Sequence, residues 1–483
     1  MKKIFLKIGL FILGVLLVIS PFGIFLIFAN SQPHIYSKTY YAALVDKVHN
    51  LESHKNDKKI VLIGGSNVAF GFDSVLLEKE FKDYKVVNFG LYAMLGTKIM
   101  MDLAINYINE GDMVFLIPEI NSQSTSLYFN AESTLKALED DFKIAWKLPK
   151  DNCDSVIGSY FDFVTERAKQ KNVINPSGVY QRKNFNKYGD ISYQELDENN
   201  IPMRSRNRMT LHYDPTMMID YSYAIDQSFF DYVNEFNAKI SEKNAKLYYS
   251  FSPVNDKAVL KKENTIDYYW SIRNHVACDV IGNPNDYIID SHYFYDSNFH
   301  LNDAGSVYRS YLLAQDIYRD IFKTDEKPSF SIPDKPPFID DNDIGEDSET
   351  AKCFEYIDYE DSLLVSGVNS NYLSEINIVL PEIANGKRVV GIAKDAFKEC
   401  TSINNIVVSN NIKILLDGCF GNCQSLSQIY IETRKPSDII VSYTGSMTQG
   451  VSSDFKIYIH SDCITDFATD YYWGAYSSFF VGY

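Results

Sequence analysis

The sequence predicts a doubly wound α/β unit with a parallel sheet, preceded by a membrane-spanning helix and followed by a solenoid of stacked repeats. Three observations point there. Residues 8–29 form an apolar run without a charge. Short continuous apolar runs, each ending at glycine or proline, punctuate the chain from residue 59 to residue 250. Segments beginning at Ala396 and Cys419 repeat in register at an offset of 23 residues.

The N-terminal run is interrupted only by Ser20 and Pro21 and is long enough for the roughly 20 residues a helix needs to cross a bilayer. Lys2, Lys3 and Lys7 precede it, so the positive-inside rule keeps the N-terminus in the cytoplasm and places everything after Asn30 outside. A cleaved signal peptide is the alternative, although its apolar core would be shorter, about 7–15 residues. Both readings put the body of the chain outside the cytoplasm. Residues 1–30 are therefore read as a cytoplasmic stub and anchor, and the expected location is the cell membrane, single-pass.

Lys59-Ile60-Val61-Leu62-Ile63, Lys85-Val86-Val87-Asn88, Met113-Val114-Phe115-Leu116-Ile117 and Lys246-Leu247-Tyr248-Tyr249-Ser250 are the predicted strands. Runs of four to six suit strands buried on both faces of a parallel sheet. Phe230, Val233, Phe236 and Ile240 recur at helical spacing, and so do Val307, Tyr311, Leu312, Ile317 and Ile321 after a cap at Asn302. Residues 31–323 form this unit. Within it, 122–228 are too long for a simple crossover and are read as an inserted region over the ligand-binding face. Residues 324–350 hold Pro328, Pro333, Pro336 and Pro337 and then an acidic set from Asp340 to Glu349, which predicts an extended linker.

In residues 351–483, Ala396-Phe397-Lys398-Glu399-Cys400 aligns with Cys419-Phe420-Gly421-Asn422-Cys423, and Ile406 with Ile429. A period of 20–29 residues with recurring apolar positions is the signature of a leucine-rich-repeat solenoid. Phe397 and Phe420 should be equivalent and buried, with Cys400 and Cys423 packed but unbridged. The stretch resembles the BspA-type leucine-rich repeats of bacterial surface proteins, and Gly386-Lys387-Arg388-Val389-Val390-Gly391-Ile392 fits the first repeat of that family. The resemblance implies adhesion or contact with a surface protein or glycan, with the repeats separable from the rest of the chain.

Composition narrows the function. Hydrophobic residues make up 46% and charged residues 23%, an ordinary globular balance. A net charge of −17 argues against broad nucleic-acid binding. Seven cysteines form no CxxC pair, which excludes a zinc ribbon and a complete disulfide framework. No metal and no organic cofactor is expected.

Two motifs carry chemistry. In Ile63-Gly64-Gly65-Ser66-Asn67 a serine follows a buried strand and a Gly-Gly turn, at the end of the sheet that faces the ligand crevice. In Asp296-Ser297-Asn298-Phe299-His300-Leu301-Asn302 an aspartate and a histidine stand four apart, just before the last helix. A serine nucleophile needs a base, and the base needs an acceptor on its other nitrogen. Ser66, His300 and Asp296 could fill these roles, with His292 after Asp290 as the second choice of base. Arg182, Lys183, Lys187, Arg204, Arg206 and Arg208 form a basic cluster in the inserted region. It is either solvated surface or a contact for an anionic polymer.

These motifs resemble the SGNH (GDSL-like) hydrolases over about residues 58–322. They are similar in particular to the membrane-anchored branch that includes the D-alanyl-lipoteichoic acid transfer protein and alginate-type O-acetyltransferases. The resemblance implies a flavodoxin-like sheet with Ser66, His300 and Asp296 as the catalytic set. It implies oxyanion donors at Ser66, at Gly90 or Ala93 after the second strand, and at Asn121 after the third. Two departures stand out. The family places Asp three residues before His, where this chain has Ser297. Its third block reads Gly-x-Asn-Asp, where this chain has Pro118-Glu119-Ile120-Asn121. Glu119 is either a feature of the branch or a solvated loop carboxylate. The resemblance implies a serine esterase or O-acyltransferase acting on a cell-envelope polysaccharide or teichoic-acid-like polymer, with a membrane-bound acyltransferase as partner. The alternative is a weak or inactive hydrolase-like platform that binds at the surface together with the repeats.

Overall fold

The computed structural model describes residues 7, 11, 13–15, 20–21, 23–25, 27–29, 31–170, 172–196, 200, 202–209, 211–336, 347–359, 362–369, 377–401, 403–441 and 446–483. Ten of the 22 residues of the expected anchor 8–29 lie outside them. Among the described residues no helix is long and apolar enough to cross a membrane.

The first unit is built on β1 (Lys59–Gly64), β2 (Lys85–Gly90), β3 (Met113–Ile117), β4 (Lys246–Tyr249), β5 (Val254–Asn255) and β6 (Asp279–Val280). Five of these form one sheet in the order β2-β1-β3-β4-β6, every pair parallel. Alternation along the strands divides the core in two. Val61, Ile63, Val87, Phe89, Val114 and Leu116 face helices Ala43–Ser53, Thr97–Ala104 and Gln227–Glu242. Ile60, Leu62, Val86, Phe115 and Ile117 face helices Ser74–Glu80 and Asp303–Asp316. Burial on both faces explains why the strands read as unbroken apolar runs. The strand order reverses between β1 and β3, which sets a ligand crevice at their carboxyl ends.

Most predicted elements fall where the sequence put them. Strand β6 has only two residues and carried no sequence signal. Asn302 caps the last helix by accepting from the Gly305 N–H. The buried face of that helix differs from the one expected. Ser306, Arg309, Ser310, Leu313 and Ala314 are buried, whereas Val307, Tyr311 and Leu312 are only partly so. The reason is Arg309, whose guanidinium lies over the rings of Phe72 and Tyr287 and donates to Phe251 O at 3.0 Å. A buried arginine held between rings and one carbonyl makes a polar position part of the core. The inserted region folds into helices Ala131–Ala137, Lys150–Gly158 and Tyr160–Lys169, followed by irregular chain.

The second unit is a solenoid. Asn377–Val379, Asn405–Val408, Gln428–Ile431, Lys456–Ile459 and Phe480–Gly482 stack as a parallel ladder. Ile406 pairs with Ile429, which is the 23-residue register. Phe397 and Phe420 stack with centroids 5.6 Å apart. No disulfide joins Cys400 and Cys423, and Cys423 Sγ donates to Cys400 O at 3.0 Å. The antiparallel pair Phe354–Tyr359 and Ser362–Val368 covers the first coil. Trp473 closes the last one, fully buried, with its indole N–H donating to Ile439 O.

The two units are not held apart. Leu211 of the first packs with Leu364, Val390, Ala393 and Ile414 of the second. The Tyr359 hydroxyl bonds that of Tyr213 at 2.8 Å, and Arg208 pairs with Asp438 at 3.0 Å. Tyr471 meets the ring of Tyr92, and the Tyr472 hydroxyl reaches Met217 Sδ at 3.3 Å. The expected free linker is also corrected in part. Ser329 donates to Glu80, Tyr293 donates to Pro333 O, and Lys335 pairs with Asp290, so residues 329–335 lie along the α/β unit. The stretch 337–346 lies outside the described residues.

Candidate active site

Ser66 is the first residue after the Gly64-Gly65 turn that ends β1. A Cβ on Gly64 would lie 2.5 Å from Ile117 O, and one on Gly65 would lie 2.8 Å from Glu119 Oε1. Only glycine lets the end of β1 come this close to the end of β3. Asn67, fully buried, staples the turn. Its Oδ1 accepts from the Gly65 N–H, and its Nδ2 donates to Ile117 O and Ser252 Oγ.

The last loop brings the base across the sheet end. His300 Nε2 lies 2.8 Å from Ser66 Oγ, and His300 Nδ1 lies 2.8 Å from Asp296 Oδ1. The unexpected spacing of Asp296 is accommodated by Ser297, whose Oγ accepts from the N–H groups of Phe299 and His300 at 3.2 Å. This turn takes up one residue and leaves Asp296 in reach of the ring. Phe70 stacks on the imidazole, centroids 4.1 Å apart and planes within 5°. The Arg204 guanidinium lies over the Phe70 ring, 5.6 Å from its centroid. Ser66 and His300 are 6% and 8% exposed, a largely water-shielded setting in which the hydrogen bonds gain strength.

Two further side chains enter the site. The Tyr180 hydroxyl, from the inserted region, donates to Asp296 Oδ2 at 3.0 Å. Burial and the Asp296 charge push its pKa well above the usual tyrosine range, so it stays a donor. Glu119 is 3% exposed. Its Oε1 accepts from Ser66 Oγ at 2.9 Å and from the Asn67 N–H at 3.0 Å, and its Oε2 accepts from Asn121 Nδ2 at 3.0 Å. It is therefore not a solvated loop carboxylate. Pro118-Glu119 directly after a buried strand at the reversal point was the signal that could have marked it. Tyr180 had none, since its neighbours in sequence show no periodicity.

Two of the expected oxyanion donors, Gly90 and Asn121, have their N–H groups engaged within the protein. The Gly90 N–H is engaged by Asn88 Oδ1 at 3.1 Å, within the end of β2. Ala93 begins a short 3-10 turn at Ala93–Leu95. Asn121 Nδ2 is taken by Glu119. The Asn67 N–H, not among the expected donors, stands next to the nucleophile in the chain and donates to Glu119 Oε1 at 3.0 Å.

The basic cluster does not form one surface. Arg204 is buried and donates to the carbonyls of Ile191 and Phe70, a structural role. Arg182 pairs with Asp46 and Asp140, and those two carboxylates hold its guanidinium charged. Arg208 bridges to Asp438 of the repeats. Arg206 is half-buried, while Lys183 and Lys187 are exposed. Among the described residues no group of three or more His, Cys, Asp or Glu side chains is placed to hold a metal ion.

The arrangement can take a proton from Ser66 and return it, the requirement for acyl transfer. Comparisons with known proteins speak to the other half of the chain. Residues 350–444 match the BspA type leucine-rich repeat region, in six copies. No curated protein matches the chain. A leucine-rich cell surface protein from Faecalibacterium prausnitzii A2-165 is 16% identical over 24% of this chain and 34% of its own, with a TM-score of 0.18. A leucine-rich repeat protein from Bacteroides ovatus ATCC 8483 is 15% identical over 25% of this chain and 38% of its own, with a TM-score of 0.14. The chain spans little more than a third of each of these solved structures, and the BspA type leucine-rich repeat match is to residues 350–444.

Proposed function

We propose that this chain is a surface binding protein that also carries a serine acyl-transfer site. The binding role draws on the BspA-type repeats of residues 350–444, whose stacked strands present an extended surface. The chemical role draws on one observation, the unbroken relay from Ser66 Oγ through His300 to Asp296 at 2.8 Å for each link.

In this reading Ser66 Oγ attacks an acyl carbonyl carbon while its proton passes to His300 Nε2. Asp296 accepts from Nδ1–H, fixes the tautomer and stabilises the imidazolium. The bond from the acyl carbon to the leaving oxygen then breaks, and His300 returns the proton to that oxygen. Water, or a hydroxyl of an acceptor, attacks the acyl-Ser66 ester in the same way and regenerates the enzyme. The substrate class proposed is an acyl ester on a cell-envelope polysaccharide or teichoic-acid-like polymer, with a membrane-bound acyltransferase as donor partner and residues 8–29 as the anchor. Turnover of a chromogenic acetate ester by the full-length protein and by Ser66→Ala tests this. Loss of turnover in the variant is expected, and equal rates would refute the chemical half.

A second reading keeps only the binding role. Glu119 favours it, because a carboxylate against the nucleophile competes with His300 for the Ser66 proton. The two readings part on whether the parent protein turns over the ester at all.

A further inference from the structure

Resting on the acyl-transfer reading, we propose that the Glu119 carboxylate is a resident occupant of the oxyanion position, which an acyl group must displace before Ser66 reacts. When a serine oxygen attacks a carbonyl, the new oxyanion shares its carbon with Oγ. It is stabilised by donors about 2.7–3.1 Å away, often backbone N–H groups beside the nucleophile. Glu119 Oε1 stands in such a place, 2.9 Å from Ser66 Oγ and 3.0 Å from the Asn67 N–H. Its other oxygen takes Asn121 Nδ2–H. The carboxylate thus consumes donors that an oxyanion needs, and its charge repels the charge that develops there.

The position is built rather than accidental. Gly65 leaves the space, since a Cβ there would lie 2.8 Å from Glu119 Oε1. Asn67 is itself fixed by three hydrogen bonds of its side chain. Ser66 has one proton, so donating to Glu119 and donating to His300 Nε2 are exclusive. With Glu119 in place, the proton has a route that does not lead to the base. Displacement of the carboxylate returns the Asn67 donor to the substrate and the Ser66 proton to His300 in one movement.

A fluorophosphonate probe tests this with the full-length protein. Ser66 Oγ bonds to phosphorus, fluoride leaves, the serine proton goes to His300 Nε2, and the phosphoryl oxygen must enter the contested position. Labelling rates are measured for the parent, Ser66→Ala, Glu119→Gln and Glu119→Asp, with thermal melts to verify folding. Glu119→Gln removes the charge, and Glu119→Asp withdraws the carboxylate by one methylene. Glu119→Gln keeps an oxygen near the Asn67 N–H but removes the charge that opposes the oxyanion; against the roughly 10²–10³ in rate that one oxyanion donor is worth, it should label at least about tenfold faster than the parent, with Glu119→Asp between them. A parent that resists labelling beside a labelled Glu119→Gln supports the proposal most directly. Folded Glu119 variants that label at or below the parent rate overturn it while leaving Ser66 as nucleophile. Absence of Ser66 labelling in every folded protein overturns both. If Glu119→Gln does not fold, the rate of Glu119→Asp decides.

Discussion

The Tyr180 hydroxyl, from the inserted segment, holds one oxygen of the carboxylate that faces His300. Asp296 has two oxygens; one faces His300 Nδ1 and the other accepts from Tyr180. Tyr180→Phe removes that donor without changing shape. A hydrogen bond to a charged group contributes about 1.5–3 kcal/mol, so ester turnover should fall roughly tenfold or more while the thermal midpoint moves little. An unchanged rate would show that Asp296 is oriented without it. Lys47 offers a separate residue-scale test. It is fully buried, donates to Asn88 O and Gly189 O, and burial lowers its pKa to about 7. Since its folded value lies below the unfolded one, the native state binds fewer protons between pH 7 and about 10.5. Stability from this group therefore rises with pH across that window. In Lys47→Met that component should vanish, so the stability difference between parent and variant shifts in favour of the parent from pH 7 to 10. Urea unfolding at several pH values measures it, and a pH-independent difference would contradict the assignment.

At the scale of the elements, the strand ends do the positioning. Gly64→Ala would push a Cβ to 2.5 Å from the Ile117 carbonyl, a backbone atom that cannot swing away. Separating β1 from β3 should cost on the order of 1–3 kcal/mol, as overpacking does, and should also reduce labelling of Ser66. In the solenoid, Phe420→Ala leaves a cavity beneath Phe397 and should cost about 3–5 kcal/mol. A midpoint unchanged by calorimetry would mean that the repeat core is not cooperative there. Much of this was legible in the sequence. Ser66, His300 and the Asn302 cap sit at junctions marked by glycine pairs or by a helix start, which are local signals. The 23-residue register was visible for the same reason. Glu119 was legible only as a carboxylate at a strand end that could be a feature of the branch or solvated, because its contact with Ser66 is made 53 residues away; Tyr180 was not legible, because its contact with the last loop is made 116 residues away. The buried face of the last helix was misread because Arg309 is neutral to any apolar periodicity, yet rings on both sides bury it.

For the molecule as a whole, the repeats dock on the α/β unit instead of hanging from a free linker. Tyr471 and Tyr472 extend from the end of the solenoid to Tyr92 and Met217, and Tyr92 in turn meets Tyr40 beside Tyr180. An aromatic chain thus connects the repeat unit to the residue that holds Asp296. Leu211 sits at the centre of the apolar contact, 2% exposed. Leu211→Asp buries a charge there without a partner and should break the docking. A single calorimetric transition in the parent should become two in the variant. Two transitions already present in the parent would show that the contact carries little energy. The central claim, that Ser66 is an activated nucleophile, is tested most directly by mapping the fluorophosphonate adduct by mass spectrometry in the full-length protein. The expected result is an adduct on the peptide containing Ser66 that disappears in His300→Ala. A folded protein that shows no Ser66 adduct in either the parent or Glu119→Gln would contradict it.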